Sequence, residues 1–403
     1  MFERFFSTHK PMSEHLVTAY KSLPVVFTHG QGCYLWDSDG KQYLDALCGI
    51  SVTSLGHDSP AVTEAIRDQA GKLLHCSNLY TIEWQQKLAD LLCEVSGMQR
   101  VFFGNSGAEA NEAAIKLARL YGNQRNIKNP QILVTQNAFH GRTMATLSAT
   151  GSRKVQAGFE PLVSGFQRAP YNDVAAIEAI AANNRDVVAI LVEPVQGEAG
   201  IVIPDHGYLE ALRRICDDNQ WLLMLDEVQS GMARSGKMFA FQHENLLPDV
   251  MTLAKALGNG VPIGACVTAG AAADLIQPGH HGSTFGGNPL ASRAACAVIE
   301  TIRENNLTQN AETRGKQLSD LLRSGLAGNN AIRDIRHQGL LFAIEMDRPC
   351  ADMVSIALEQ GLLINVTAER VIRLLPPIIL DANQTEELAT RLISSIEQFT
   401  QSS

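Results

Sequence analysis

Two short apolar runs in this chain end in residues with opposite chemistry. Trp221-Leu222-Leu223-Met224-Leu225 stops at Asp226-Glu227, and Val250-Met251-Thr252-Leu253-Ala254 stops at Lys255, followed by Ala-Leu-Gly-Asn-Gly. Runs this short and this apolar predict strands covered on both faces, as in a parallel sheet. Ligands of open parallel sheets lie beyond the carboxyl ends of the strands, so Asp226 and Lys255 are expected to face one pocket. Taken alone, each residue has a simpler reading, Asp226 as a helix cap and Lys255 as a solvated surface lysine.

A second stretch adds a place for an anion. In Arg100–Tyr121, RVFFGNSGAEANEAAIKLARLY, a short strand over Val101–Phe103 leads through Gly104-Asn105 to Ser106, which reads as the N-cap of a long helix. Glu109, three residues on, suggests a capping box, and Ala110, Ala114, Leu117, Ala118 and Tyr121 form the buried stripe. A small-residue turn at a helix N-terminus leaves the amides of Gly107 and Ala108 free to hold a phosphate. It is neither a P-loop nor a dinucleotide fingerprint, because GK[ST] and G-x-G-x-x-G are both absent. Further strand ends carry Phe139-His140-Gly141-Arg142 after Ile132–Thr135, and Glu193 with Gln196-Gly197-Glu198 after Val187–Val192. Phe139 as core, His140 as a satisfied turn histidine and Arg142 as a surface ion-pair partner are the individual alternatives. Their convergence on one sheet edge favours a single cofactor site. A carbonyl-binding lysine, an acid able to keep a pyridine nitrogen protonated and a phosphate cradle together suit pyridoxal 5'-phosphate (PLP).

The elements that must position these residues follow from length and pattern. At 403 residues the chain exceeds what one core serves, so two lobes are expected. Strands alternate with helices, such as the predicted helix Tyr208–Asn219, which implies an α/β fold with its site on one edge. With 45% hydrophobic and 19% charged residues the composition is that of an ordinary globular protein, and a net charge of −9 argues against a general nucleic-acid or anionic-membrane surface. No apolar stretch reaches the length of a bilayer span, and MFERFFSTHKPMSEHLV lacks the apolar region of a leader peptide. The eight cysteines are scattered without a C-x-x-C pair, which points to reduced thiols and a cytoplasmic setting.

The remaining segments frame this centre. CYLWDSDGKQYLD over 33–45 reads as a hairpin turning at Asp39-Gly40, and Lys41 stands where a calcium loop needs an oxygen ligand. Helical pattern runs from Ser59-Pro60 to about residue 95, and again from Pro289 to about Glu304. Between them lie a strand over Ile263–Thr268 and the Gly-rich segment HGSTFGGNP. His280-His281 lacks a third ligand for a metal. From about 305 a second, smaller lobe is expected, joined by the N-terminal hairpin region.

NSGAEANEAAIKLAR, FHGRT, EPVQGEAG, LDEVQSGMARSGKMFA, TLAKALGNGVPIGA and HGSTFGGNPLA, in that order, resemble the class III (subgroup II) PLP-dependent aminotransferases over nearly the whole chain. The resemblance implies PLP-dependent transferase fold type I, a homodimer whose large domain (59–300) carries a mostly parallel seven-stranded sheet. Segments 1–58 and 301–403 would build a smaller α+β domain. It implies Lys255 as the Schiff-base lysine and proton shuttle, Asp226 at the pyridinium nitrogen and Gln229 beside the phenolic oxygen. Ser106, Gly107 and Ala108 would form the phosphate cup, with Thr284 contributed by the opposite subunit, and Phe139 would stack on the ring. Arg142 and Ser283 would contact substrate, and Glu198 would cover and uncover Arg373 as the two substrates alternate. Ile50 stands where the family's ornithine-specific members have a tyrosine, which implies an Nα-acylated donor such as N2-acetylornithine, with 2-oxoglutarate and glutamate as the other pair. N-succinyl-ornithine, N-succinyl-diaminopimelate, free ornithine and 4-aminobutyrate remain open as donors. A PLP enzyme of another reaction class and a non-catalytic PLP-binding protein are further alternatives.

Overall fold

The computed structural model describes residues 15–401. Residues 1–14, which include most of the stretch read as lacking a leader and the start of the 1–58 segment, lie outside the described residues.

The centre is a seven-stranded sheet in the order Arg100–Gly104, Gly264–Thr268, Val250–Leu253, Leu222–Asp226, Val187–Val192, Gln131–Thr135, Phe166–Ala169. Neighbours from Val250–Leu253 onward pair in parallel, and Gly264–Thr268 runs antiparallel to both its neighbours. The fold is α/β with a mostly parallel sheet, as the apolar runs imply. Alternation sorts each run between two cores: Leu223 and Leu225 face one, Leu222 and Met224 the other. Helix Gly107–Gln124 covers the second face with Ala113, Ala114, Leu117 and Ala118, while Tyr208–Asn219 and Pro289–Glu304 contribute to the first. The expected helical region after Ser59-Pro60 divides into Pro60–Ala70 and Glu83–Ser96.

Two smaller four-stranded sheets flank this core. One joins Phe27–Gln31, Tyr34–Asp37 and Gln42–Asp45 to Leu362–Leu363, so the two ends of the chain share a sheet. The hairpin at 34–45 is present, and the Asp37 carboxylate accepts the amides of Asp39 and Lys41 at 2.9 Å each. That turn therefore uses its acid on its own backbone, and no metal-binding cluster occurs among the described residues. The other sheet orders Ile332–Gln338, Leu341–Met346, Val371–Leu374 and Asn365–Thr367. No helix among the described residues is long and apolar enough to cross a membrane.

Immediately after Asp45 the backbone makes a left-handed turn, with φ of 53°, 60°, 67° and 62° at Cys48, Gly49, Ile50 and Ser51. Only glycine enters this region freely, and a β-branched residue such as Ile50 is disfavoured there, so tertiary contacts must hold the turn. Asp45 Oδ1 accepts the amides of Leu47 and Cys48 at 2.9 and 2.8 Å. On the far side, the fully buried Arg234 donates to Ser51 Oγ at 3.1 Å and Ser54 Oγ at 2.6 Å, and to the carbonyls of Leu340 and Pro376.

Candidate active site

The aligned carboxyl ends of the sheet open onto a cavity of about 460 Å³. Its lining includes Ser106, Gly107, Ala108, Phe139, Arg142, Glu198, Asp226, Gln229 and Lys255. Residues far apart in sequence thus meet at one edge. Arg373 lies behind this wall and touches Glu198 and Gln229. Thr284 is exposed and is not among the lining residues, and the neighbouring Ser283 hydroxyl lies 3.3 Å from Asn105 Nδ2 rather than in the cavity. Arg142 is exposed at the mouth, its guanidinium 5.7 Å from the Phe139 ring centroid.

Ser106 caps the helix through Oγ, which accepts the Glu109 amide at 3.1 Å. The reciprocal half of the expected capping box is different: the Glu109 carboxylate takes the backbone and side-chain N–H groups of Asn105 instead. The helix start is packed hard against the next strand end. A Cβ on Gly107 would come within 2.8 Å of Val228 Cγ1, so glycine is required for this approach. Gly107 and Ala108, which head the helix and whose amides have no partners within it, line the cavity at the positive end of the helix dipole.

Asp226 is buried and held from three directions. Oδ2 accepts from Asn111 Nδ2 at 2.7 Å and lies 2.8 Å from His140 Nδ1, while Oδ1 accepts the Val228 amide at 3.1 Å. His140 Nε2 is buried with no hydrogen-bond partner. Lys255 follows strand Val250–Leu253 at φ 47°, a conformation costly for a side-chain-bearing residue. Burial lowers the Lys255 pKa from its ordinary value, with Arg373 acting the same way against the opposing charges of Glu198, Asp226 and Glu193. A lysine so placed is a better neutral nucleophile and base than one in water.

Glu198 forms one wall, backed by Arg373. Arg373 Nη1 donates to Glu198 Oε1 at 2.6 Å, and the two side chains, arginine first, are 1% and 37% exposed. Arg373 also donates to Asn365 Oδ1 at 3.1 Å and to the Gly197 carbonyl at 3.2 Å. Burial pushes the Glu198 carboxyl up, but the charge and hydrogen bond of Arg373, with help from Lys255 and Gln229, bring it below its usual value. The arginine is buried with further acceptors at Asn365 and Gly197, whereas the glutamate is partly exposed.

Glu193 joins two parts of this wall. Its Oε1 accepts the Phe139 amide at 2.9 Å and its Oε2 the Gly197 amide at 3.1 Å. Burial raises its pKa to about 7, opposed by His140 and assisted by Asp226.

Reading the sequence alone misses Asn111 and Val228, and gives His140 and Glu193 only as strand-end polar groups without a role. Asn111 carries one signal. It sits four residues after Gly107 and opens a turn whose following residues Ala114 and Ala118 are buried, so a polar group on that face needs partners inside.

The class-III aminotransferase family model matches residues 17–396. The chain belongs to the class-III aminotransferases. This class-III aminotransferase is 51% identical over 388 residues to the acetylornithine aminotransferase of Nitrosomonas europaea, covering 96% of this chain and 99% of that one. It is 44% identical to the acetylornithine aminotransferase of Methanothermobacter thermautotrophicus, covering 92% and 93% of the two chains. Among solved structures, the ornithine aminotransferase of Toxoplasma gondii superposes with a TM-score of 0.93 at 34% identity, covering 96% of this chain and 94% of that one. The acetylornithine aminotransferase of Elizabethkingia anophelis gives 0.86 at 34%, covering 95% and 96%. A second Toxoplasma gondii structure is described with partial occupancy of PLP at its active site.

Proposed function

We propose that this aminotransferase moves the δ-amino group of N2-acetylornithine to 2-oxoglutarate, giving N-acetylglutamate 5-semialdehyde and glutamate, with PLP as its cofactor. The donor rests on the acetylornithine aminotransferases that match over nearly their full length. The observation that carries a two-substrate transamination is the 2.6 Å Glu198–Arg373 pair beside Lys255. A pocket that takes a donor with no carboxylate beside its reacting amine, and then a dicarboxylate, needs a cation it can hide and reveal.

The donor set fits PLP. A lysine with a lowered pKa, a buried carboxylate and a helix N-terminus line one cavity, matching a carbonyl, a basic ring nitrogen and a phosphate. When bound, PLP supplies an electrophilic carbon for amines and a ring that accepts electrons. Lys255 would hold the cofactor and carry the proton at Nζ, and Asp226 would keep the ring nitrogen protonated. Ser106, Gly107 and Ala108 would hold the phosphate, Phe139 would lie against the ring and Gln229 beside its oxygen. Arg142 would bind the carboxylate remote from the reacting amine, with Ser283 nearby, and Arg373 would take the α-carboxylate of 2-oxoglutarate once Glu198 turns away.

Assembly belongs to the same proposal. Leu79, Tyr80 and Phe285 are 87%, 70% and 59% exposed, and Asn78 Nδ2 ties their two segments together through the carbonyls of Ser283 and Gly286. A homodimer covering these residues would bring Thr284 to the partner's phosphate site. The large domain would span 59–300, with 1–58 and 301–403 forming the small one.

Ranking kcat/KM for a panel of ω-amino donors with 2-oxoglutarate tests the reading. N2-acetylornithine is expected first; free ornithine or 4-aminobutyrate at the head of the ranking would overturn it.

A further inference from the structure

The Glu193 carboxylate spends both oxygens on backbone amides that are far apart in sequence. Oε1 takes the amide of Phe139, whose ring lines the cavity, and Oε2 takes the amide of Gly197, the residue before Glu198. Its own backbone is fixed as well, because Tyr171 Oη donates to the carbonyls of Glu193 and Pro194 at 3.1 and 3.0 Å.

The backbone around Glu198 is then held on every side. Gly197 gives its carbonyl to Arg373 Nη1 at 3.2 Å, and the Glu198 carbonyl accepts from Thr367 Oγ1. Gln196 Nε2 anchors the preceding residue to Thr135 Oγ1 at 3.1 Å and to the Gln136 carbonyl at 2.8 Å. Gly197 packs against the end of the Gln229 side chain, where a Cβ would lie 2.1 Å from Oε1. With the backbone anchored by these bonds, side-chain rotation is the movement of Glu198 away from Arg373 that breaks the fewest of them.

We propose that Glu193 is a positioning residue that sets the aromatic wall at Phe139 and the pivot of Glu198 in one register, so that uncovering Arg373 is a side-chain rotation on a fixed backbone. Above its raised pKa of about 7 Glu193 is ionised and both hydrogen bonds are charge-assisted, the stronger kind. A carboxylate accepts at both ends; a carboxamide in its place turns an NH2 toward one of the amides, donor against donor. The inference rests on the reading of Glu198 and Arg373 as the pair that alternates between substrates.

The test compares Glu193→Gln and Glu193→Asp with wild type and with Glu198→Ala, all as PLP-loaded full chains. Asp keeps the charge but is too short to reach both amides, and serves if the Gln variant fails to fold. Hydrogen–deuterium exchange without substrate reads residues 136–142 and 195–200, and single-turnover rates read the two half-reactions. The expected result is faster exchange in at least one of these segments by about tenfold, the size of a lost hydrogen bond. It is accompanied by a shift of the half-reaction ratio toward 2-oxoglutarate, the direction of Glu198→Ala. Exchange within about twofold of wild type in both segments, or faster exchange with an unchanged ratio, overturns the proposal. If Glu198→Ala itself leaves the ratio unchanged, the underlying reading of the pair fails instead.

Discussion

Asn111 Nδ2 donates to Asp226 Oδ2 at 2.7 Å while its Oδ1 accepts from Thr252 Oγ1 at 2.7 Å. One helix side chain thus locks the acid at a strand end to the neighbouring strand, and a further bond to the His140 carbonyl at 2.8 Å ties in the histidine that also touches Asp226. Replacing Asn111 by Leu keeps the volume and removes all three bonds. The expected outcome is retained cofactor with kcat reduced by about tenfold or more, since Asp226 loses one of its charge-assisted bonds. Steady-state kinetics alongside cofactor absorbance checks this; unchanged kcat would show that Asp226 needs no such support.

Lys255 gives the most direct prediction. Lys255→Ala should still hold PLP, because the helix start and Asp226 remain, while turnover collapses. Borohydride treatment followed by peptide mapping should place the cofactor on Lys255 in the wild type only. Full activity in the variant contradicts the assigned role.

The two arginines should separate the half-reactions. Arg373→Ala is expected to cost the 2-oxoglutarate half about 2–5 kcal/mol, the range for truncating one partner of a buried charge pair, and to leave the acetylornithine half nearly intact. Arg142→Ala should slow both halves, because both substrates present a distal carboxylate. Equal damage to the two halves by Arg373→Ala would remove the assignment.

Where the sequence is informative, the reason is local. The runs ending in Asp226 and Lys255 are apolar on both faces, and the Ser106 cap, the small residues after it and the alternation around Asp39-Gly40 each declare themselves within a few residues. The remainder depends on distant partners. Nothing near Cys48, Ile50 or Ser51 announces a left-handed turn; only Gly49 suits one, and the hold comes from Asp45 and Arg234. Glu193 reaches an amide 54 positions earlier in the chain, a separation that no period or spacing rule encodes. Arg142 and Thr284 are legible as residue types, and both are exposed; the roles proposed for them need a ligand and a second subunit, which no local pattern encodes.

Glu227, beside Asp226, predicts a pH dependence of stability. It is buried, accepts from Ser230 Oγ at 2.6 Å and from the Phe241 amide at 2.8 Å, and burial chiefly raises its pKa from 4.5 to about 7. The folded state therefore keeps a proton that the unfolded chain has already lost. Its contribution is fully present below about pH 4.5 and is lost as pH rises through about 7. Glu227→Gln can still accept from the amide and donate to Ser230, and it cannot titrate. The wild type should lose stability relative to this variant across that window by a few kcal/mol, since each tenfold difference in proton affinity between the folded and unfolded states is worth about 1.4 kcal/mol. Thermal melts at pH 4.5, 6 and 8 measure the difference; parallel curves would show that the Glu227 pKa is not raised in the folded protein.

Strand pairing between Leu362–Leu363 and Leu44–Asp45, with the Leu375 amide on the Ala46 carbonyl at 2.7 Å and the Ile378 amide on the Ser54 carbonyl at 2.8 Å, has a consequence for synthesis. The segment that leaves the ribosome early is completed by one that leaves near the end. Until Leu340 and Pro376 have emerged, Arg234 lacks two of its acceptors and the left-handed turn lacks its clasp. Val52, just after that turn, is part of the cavity wall. A chain ending before Pro376 carries every strand of the central sheet but lacks the late contacts that clasp the turn beside the cavity, and such non-local closure is slow and exposes apolar surface meanwhile.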